Sequence, residues 1–322
     1  MRFSVDAWEP GFGTSFQDDG EALEASGAQV DLEVECPVDR WAPIPPSTIA
    51  PPTAVRFVDG VRRIDARVWV SPPGSGDATM GICGSYAAGV VCSCNEGAHL
   101  STPAVRRGLF TSAMHATDVV TAHGQWPVSL AAETPGVAQA LNLSLALQRK
   151  LAELEVIAAA NARADHTIDD DLLVIDGPLR GRTKLERTVS LIKSHQASYL
   201  PPTVAGIIGE LASGDRTPVF LLGTTWQRYT WYLRLPCQIE STWSGIVRME
   251  CSPERTPAEA VASANLTQIV IPTFASEPHK DARAPQNLYP IAGLETQLRH
   301  RLGHPQLLWR SLRQTAASGA AP

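Results

Sequence analysis

Residues 54–70 read AVRFVDGVRRIDARVWV, and residues 80–94 read MGICGSYAAGVVCSC. Both runs are rich in apolar and β-branched residues, and the PPGSGDA segment between them has the proline and glycine content of a turn. This pattern predicts a β-hairpin that begins the sheet of the protein. A short run at residues 117–122, TDVVTA, is expected to add a further strand.

A helix is predicted at residues 141–164, because apolar residues there recur with helical spacing. They are Leu143, Leu147, Leu151, Leu154 and Ala158. Residues 171–179, DLLVIDGPL, form an apolar run that ends in Asp-Gly-Pro, which is typical of a buried strand flanked by helices. Helical stretches are expected near 184–198 and 202–212.

The later part of the chain also contains predicted strands followed by predicted helices. Three segments look like strands: TPVFLLG at 217–223, RYTWYLRLP at 228–236 and GIVRMECSP at 245–253. A helix is predicted from Thr256, since Thr256, Pro257 and Glu259 have the spacing of a capping box with proline at the first position. Another helix follows Pro290. This order of elements predicts an α/β fold with a mixed sheet flanked by helices.

We expect one main domain over residues 54–310. It is preceded by an irregular, proline-rich segment at 1–53 and followed by a flexible tail at 311–322. The hydrophobic fraction of 44% is that of a globular protein. A net charge of −6 provides no global attraction to nucleic acid, so DNA binding requires a local basic patch.

The sequence predicts a cytoplasmic protein. It has no apolar run long enough to span a bilayer, and its first residues, MRFSVDAWEPGFG, do not resemble a secretory signal. The six cysteines are too scattered for a disulfide scaffold. Cys92 and Cys94, with His99 nearby, suggest a metal site weakly, and we favour buried, unreactive thiols.

Two segments place Asp-Gly directly after an apolar strand: Asp59-Gly60 and Asp176-Gly177. Aspartates held by neighbouring strands can bind Mg²⁺ or Mn²⁺, which prefer hard oxygen ligands. Paired ions of this kind activate water for phosphodiester cleavage. The alternative is that each Asp-Gly only makes a turn. Spacing alone leaves both interpretations open.

The predicted helix at 141–164 offers two further carboxylates. Glu155 follows Leu151 by one turn and lies at the edge of the apolar stripe, whereas Glu153 lies further round the helix. Glu155 is therefore the better candidate for a third acidic ligand, although a solvated helix glutamate is the ordinary alternative.

These motifs resemble the NurA family of nucleases over residues 55–300. FVDGVRRIDARV resembles the family's first Asp-Gly motif, and DLLVIDGPLRGR followed by SLIKSH resembles the second Asp-Gly strand and its basic segment. WYLRLP and GIVRMECSP resemble the late strands, and APQNLYPIAGLE resembles the C-terminal tyrosine-proline motif.

The resemblance implies an RNase H-like fold and Mn²⁺- or Mg²⁺-dependent cleavage of DNA, with 5′ to 3′ exonuclease and single-strand endonuclease activity. It also implies a homodimer that acts in DNA end resection and repair with a hexameric HerA-type ATPase. The implied metal ligands are Asp59, Glu155 and Asp176, with Tyr289 near the site.

The chain departs from the family pattern at two places. Val61 follows the first Asp-Gly where the family usually has serine, and Gln297 stands near the position of the family's C-terminal histidine. His300 lies one turn further, so either His300 or Glu295 completes the metal site, or neither does.

Nucleic-acid contacts are predicted after the second Asp-Gly. Arg180 and Arg182 are expected to bind phosphates, and Lys193 matches a family lysine. Four aromatic residues further on either stack unpaired bases or fill the core: Trp226, Tyr229, Trp231 and Tyr232.

Two other functions remain open. A chain unable to complete the metal site would serve as a weakly active or inactive adaptor for a DNA-translocating ATPase. An RNase H-like nuclease acting on RNA or branched substrates is the other alternative.

Overall fold

A computed structural model describes residues 27–72, 77–179, 181–195 and 197–318. The strands in chain order are β1 (Gln29–Asp31), β2 (Ala54–Val70), β3 (Thr79–Cys94), β4 (Gly97–Thr111), β5 (Val119–Thr121), β6 (Gly124–Trp126), β7 (Val128–Leu130), β8 (Asp171–Asp176), β9 (Thr188–Ile192), β10 (Phe220–Gly223), β11 (Gln227–Arg234) and β12 (Ile246–Cys251). The helices are α1 (Gln139–Asp165), α2 (Ile207–Glu210), α3 (Pro257–Val270), α4 (Tyr289–Arg301) and α5 (Pro305–Ala317). None of the helices in these ranges is long and apolar enough to cross a membrane.

The chain divides into two compact units. The first unit contains the described residues of Met1–Phe57, Cys92–Ala98 and Ile168–Ala292. The second contains those of Val58–Val91, His99–Thr167 and Gly293–Pro322. Strand β2 therefore begins in the first unit and continues in the second.

In the first unit the strand order is β1-β10-β11-β12-β9-β8, and the beginning of β2 follows β8. β8 and β9 are parallel, with Asp176 opposite Leu191, whereas the pairs from β9 to β1 are antiparallel. Helix α3 begins with the predicted capping box at Thr256 and packs Ala260 and Ala264 into the core that contains Trp231. The small side chains let the helix approach the sheet closely.

In the second unit the order is β2-β3-β4-β7. A two-residue turn joins β3 to β4, and such a short connection makes an antiparallel hairpin. Helix α1 covers one face of this sheet, where Leu147 and Leu151 lie against Gly84 and Gly60. On the other face, α4 packs against Val61, which follows Gly60 and so points the opposite way.

The fold class expected from the sequence, an α/β fold with a mixed sheet flanked by helices, is confirmed. The predicted hairpin corresponds to β2 and β3, although part of its turn, residues 73–76, lies outside the described residues. The helix predicted at 141–164 is α1, and all five residues of its apolar stripe are buried.

Three predicted elements differ from the structure. The run at 117–122 forms β5, which pairs with β6 in a separate two-stranded sheet, and the third strand of the second unit is β4. The helix predicted at 184–198 is replaced by β9, because its apolar run pairs with β8 and is buried. Of the predicted helix at 202–212, only α2 is helical.

The flexible tail predicted at 311–322 overlaps helix α5, and its last residues, 319–322, lie outside the described residues. Helix α5 continues through Ala317. It buries Leu308 and Leu312 against Leu109 and Trp126, so the burial of an apolar face fixes the helix in place.

Candidate functional site

Asp59 lies inside strand β2, because the strand continues past it to Val70. The residue is buried, with 8% of its surface exposed. Val61 lies two positions further along the strand and packs against Leu294 and Leu298 of α4. Since alternate residues of a strand share a face, the side chain of Asp59 also points to the α4 side.

Glu295 is the acidic residue that α4 brings to Asp59. One carboxylate oxygen of Asp59 and one of Glu295 lie within 4.8 Å of each other. Two oxygens bound to the same Mg²⁺ or Mn²⁺ ion are about 3–4 Å apart, because each metal–oxygen bond is about 2.1 Å long. The two carboxylates therefore fit a divalent cation without a large rearrangement.

The two carboxylates border a cavity of about 510 Å³ in the second unit. The cavity is also lined by Gly60, Val61, Arg62, Arg63, Arg299 and Leu302. Acidic ligands and arginines beside one open cavity suit a substrate that carries both a metal-bound oxygen and a negative charge.

Glu155 contacts the face of β2 that is opposite to the side chain of Asp59. A Cβ atom built on Gly60 would lie 2.7 Å from Glu155 Oε1, so this carboxylate lies directly against the Gly60 backbone. Gly60 and Asp59 are consecutive, and their side-chain directions are opposite. Glu155 is therefore buried on α1 against the face of β2 opposite to the Asp59 side chain, and its role as a third acidic ligand stays a prediction.

Glu153, the other glutamate considered on this helix, is a surface residue. Its carboxylate forms an ion pair of 2.7 Å with Lys150, and 59% of its side chain is exposed. An exposed pair of this kind contributes about 0.2–1 kcal/mol and suggests no further role.

Asp176 ends strand β8 in the first unit. Its Oδ2 atom accepts a hydrogen bond of 2.6 Å from Lys193 Nζ, which also donates to Asn287 Oδ1 at 2.7 Å. Asn287 in turn donates to Asp281 Oδ2 at 2.8 Å. Gly177 follows with a φ angle of +90°, so the chain turns directly after Asp176.

Two of the basic residues predicted to bind phosphate, Lys193 and Arg182, are buried and hydrogen-bonded within the first unit. Lys193 is only 8% exposed, and a buried ammonium group needs the partners that Asp176 and Asn287 provide. Arg182 is also buried, and its Nη1 donates to the Pro178 carbonyl at 3.0 Å. Both side chains thus bind groups at the end of β8 or just after it, and their contacts to DNA stay a prediction. Arg180 lies outside the described residues.

Tyr289 and His300 lie on α4 but do not line the cavity. The Tyr289 ring lies 5.4 Å from Lys280 Nζ, and hydrogen bonds to Glu277 and Tyr289 raise the pKa of the Lys280 ammonium. His300 is exposed. Leu294 and Leu298 fix the buried side of α4, which leaves Glu295 and Arg299 beside the cavity and His300 away from it. Of these two residues, Glu295 lines the cavity, and which of them completes a metal site stays a prediction.

Arg299 is the cavity residue that the sequence analysis missed. It lies four residues after Glu295, and its Nη2 donates to Glu295 Oε2 at 3.4 Å. A glutamate and an arginine at this spacing share one side of a helix, so the pattern was present in the sequence.

The aromatic residues considered for base stacking are mostly core residues. Tyr229, Trp231 and Tyr232 are buried, and Trp231 and Tyr229 belong to the core beneath α3. Trp226 is only partly buried and lies 4.6 Å from the guanidinium carbon of Arg228. The core interpretation therefore holds for three of the four residues.

No family model matches this chain, and no curated protein matches it. One similar solved structure is the NurA nuclease from Sulfolobus solfataricus, with a TM-score of 0.46 and 11% identity over 85% of this chain and 88% of that chain. Another is the endonuclease V from Bacillus subtilis, with a TM-score of 0.34 and 11% identity over 79% of this chain and 86% of that chain. At identities and TM-scores this low, the two matches assign no activity to this chain.

Proposed function

We propose that the protein is a divalent-metal-dependent nuclease that hydrolyses the phosphodiester bonds of DNA. The main support is the pair of carboxylates from Asp59 and Glu295, which lie within 4.8 Å of each other beside an open cavity. Two negative charges this close repel each other in the absence of a cation. Their position beside an open cavity favours binding of an ion.

Asp59 and Glu295 would hold Mn²⁺ or Mg²⁺. A bound ion of this type lowers the pKa of water and stabilises the negative charge that develops on phosphate oxygens. The strand fixes the backbone of Asp59, and the buried leucines of α4 fix that of Glu295. The rigid backbones reduce the reorganisation needed when substrate binds.

The choice of DNA, and the 5′ to 3′ exonuclease and single-strand endonuclease activities, come from the resemblance of the sequence motifs to NurA nucleases. The same resemblance supports a homodimer that acts in end resection with a HerA-type hexameric ATPase. Digestion of 5′- and 3′-labelled DNA, RNA and DNA–RNA hybrids tests substrate and polarity. Sedimentation with and without the ATPase tests the assembly.

The central test is Mn²⁺-dependent cleavage of labelled DNA. Asp59→Asn and Glu295→Gln are each expected to lower the cleavage rate by about 10³-fold, because each removes one charge from the metal ligands. Glu210→Gln is the matched control, since Glu210 is an exposed glutamate on α2. Equal rates for wild type, Asp59→Asn and Glu295→Gln would rule out this site as the catalytic centre.

The predicted participation of Asp176 stays a prediction, and Asp176→Asn tests it in the same assay. The ion pair with Lys193 favours a second candidate function, because an ammonium group already neutralises this carboxylate. In that case the chain is an adaptor that stimulates an ATPase without cutting DNA. Absence of cleavage by the wild type, together with ATPase stimulation that persists in Asp59→Asn, would support the adaptor.

A further inference from the structure

The cavity beside Asp59 contains three arginines, and their side chains are engaged to different extents. Arg62 turns towards α1, where its Nε donates to Gln148 Oε1 at 2.7 Å and its Nη1 to Ser144 Oγ at 3.2 Å. Its guanidinium is thus held by the helix on the other face of the sheet.

Arg63 is engaged more completely. Its Nε donates to Asp65 Oδ1 at 3.0 Å, Nη1 to the Gly303 carbonyl at 2.9 Å and Nη2 to the Leu302 carbonyl at 3.3 Å. These bonds join β2 to the end of α4. Arg63 therefore has a structural role, and moving its guanidinium would break three bonds.

Arg299 differs from both. Its side chain is 60% exposed, and within the described chain its guanidinium has a single polar partner, Glu295 Oε2 at 3.4 Å. That distance is at the long end for a hydrogen bond between nitrogen and oxygen. Most donors of this planar, permanently charged group therefore face solvent at the border of the cavity.

We infer that Arg299 binds a backbone phosphate of the nucleic acid next to the Asp59–Glu295 pair. The inference rests on the proposed function, and it identifies the charge that the site needs for its substrate. Two carboxylates repel a phosphodiester, so cations must hold it in place. The guanidinium fork can bind two oxygens of one phosphate at once. When Glu295 binds a cation, its weak contact to Arg299 is easily exchanged for the phosphate.

The test measures binding of a short fluorescein-labelled single-stranded oligonucleotide by anisotropy. Ca²⁺ replaces Mn²⁺, and a gel confirms that the probe stays intact. Arg299→Ala is expected to raise Kd about tenfold, since a charged hydrogen bond is lost. The slope of log Kd against log salt should fall by about one, because one phosphate contact is removed.

Arg301→Ala is the matched control. Arg301 lies on the same helix, but its Nη1 donates to the Gln297 carbonyl at 3.2 Å and it does not line the cavity. The Arg301→Ala variant removes one positive charge from α4, as Arg299→Ala does, and it should change Kd by less than about twofold. Arg299→Lys keeps the charge without the fork, so it should keep the salt slope and recover only part of the affinity.

Two results would overturn the inference: an Arg299→Ala variant with the Kd and salt slope of the wild type, or a wild type that does not bind the probe. Melting curves of the three variants show whether each is folded. Failure of the proposed function looks different. A wild type that binds DNA through Arg299 but does not cut it in Mn²⁺ would retain the phosphate contact and lose the nuclease.

Discussion

The two Asp-Gly steps have the same sequence and different surroundings. Gly60 lies inside β2, and its missing side chain makes room for Leu151 and Glu155 of α1. Gly177 follows the end of β8 with a φ angle of +90°, and a Cβ built on it meets no described atom within 4 Å. The first glycine is required for close packing, and the second for the backbone turn.

The two aspartates differ in the same way. Asp59 lies near the Glu295 carboxylate at an open cavity. Asp176 forms an ion pair with the buried ammonium group of Lys193. A dipeptide motif therefore does not determine the electrostatics of its aspartate. The packed neighbours determine them, and variants at these positions can separate the two environments.

The largest effect on stability is expected from Asp176→Asn. Lys193 is only 8% exposed, and the variant leaves its ammonium without a charged partner in that pair. The free energy of unfolding should fall by about 3 kcal/mol, at the lower end of the range for broken buried ion pairs. Urea denaturation measures this value.

Asp59→Asn is the comparison, with an expected loss well below that of Asp176→Asn. Removing one of two close carboxylates relieves their repulsion, so the cost of the substitution is partly offset. Equal losses for the two variants would contradict the difference between the two aspartates. Asp176→Asn with Lys193→Met tests the ion pair itself, because its loss should be smaller than the sum of the single losses.

Gly60→Ala is expected to cost about 2 kcal/mol, because it overpacks the contact with α1. Its Cβ would lie 2.5 Å from Leu151 Cδ1 and 2.7 Å from Glu155 Oε1, so both side chains must move. In Gly60→Ala with Leu151→Ala, the shortened side chain makes room for the new methyl group. The loss in the double variant should therefore be less than the sum of the single losses. Additive losses would show that the packing at Gly60 is not tight.

Much of the fold follows from local sequence. The β2–β3 hairpin, α1, β8 and the capping box of α3 each have a periodic or capping pattern that does not need distant partners. β4 was missed because it contains Pro103 and many polar residues, which seldom indicate an inner strand. β9 was predicted as helix because its short apolar run has no local signal that separates the two, and pairing with β8 decides.

The candidate site was less predictable. The helical pattern placed Glu155 correctly at a buried position, but the face of the sheet that α1 covers is set by packing at Gly60 and Gly84. Glu295 was kept only as an alternative to His300. The choice between them depends on which side of α4 is buried, and that side is fixed by contacts of Leu294 and Leu298 with residues far away in the chain.

Binding of Mn²⁺ should stabilise the wild type by less than the cost expected for Gly60→Ala. A ligand that binds only the folded state at ten times its Kd adds about 1.4 kcal/mol to the free energy of unfolding. Asp59→Asn should lose this gain, since it removes a ligand charge, and Glu210→Gln should keep it. The Tm measured with and without Mn²⁺ gives the comparison. A gain that persists in Asp59→Asn and Glu295→Gln would place the ion elsewhere.

The smallest effect on stability is expected from substitution of Gly177. Gly177→Ala meets no close atom among those described, so its cost is backbone strain alone: a φ of +90° is unfavourable for alanine by roughly 1 kcal/mol. Gly177→Asn should lose less than Gly177→Ala, because asparagine tolerates positive φ better. At Gly60 the order should reverse, since asparagine is larger than alanine and the limit there is space. If alanine and asparagine ranked alike at both positions, one physical cause would explain both glycines, and the contrast between packing and turn would be wrong.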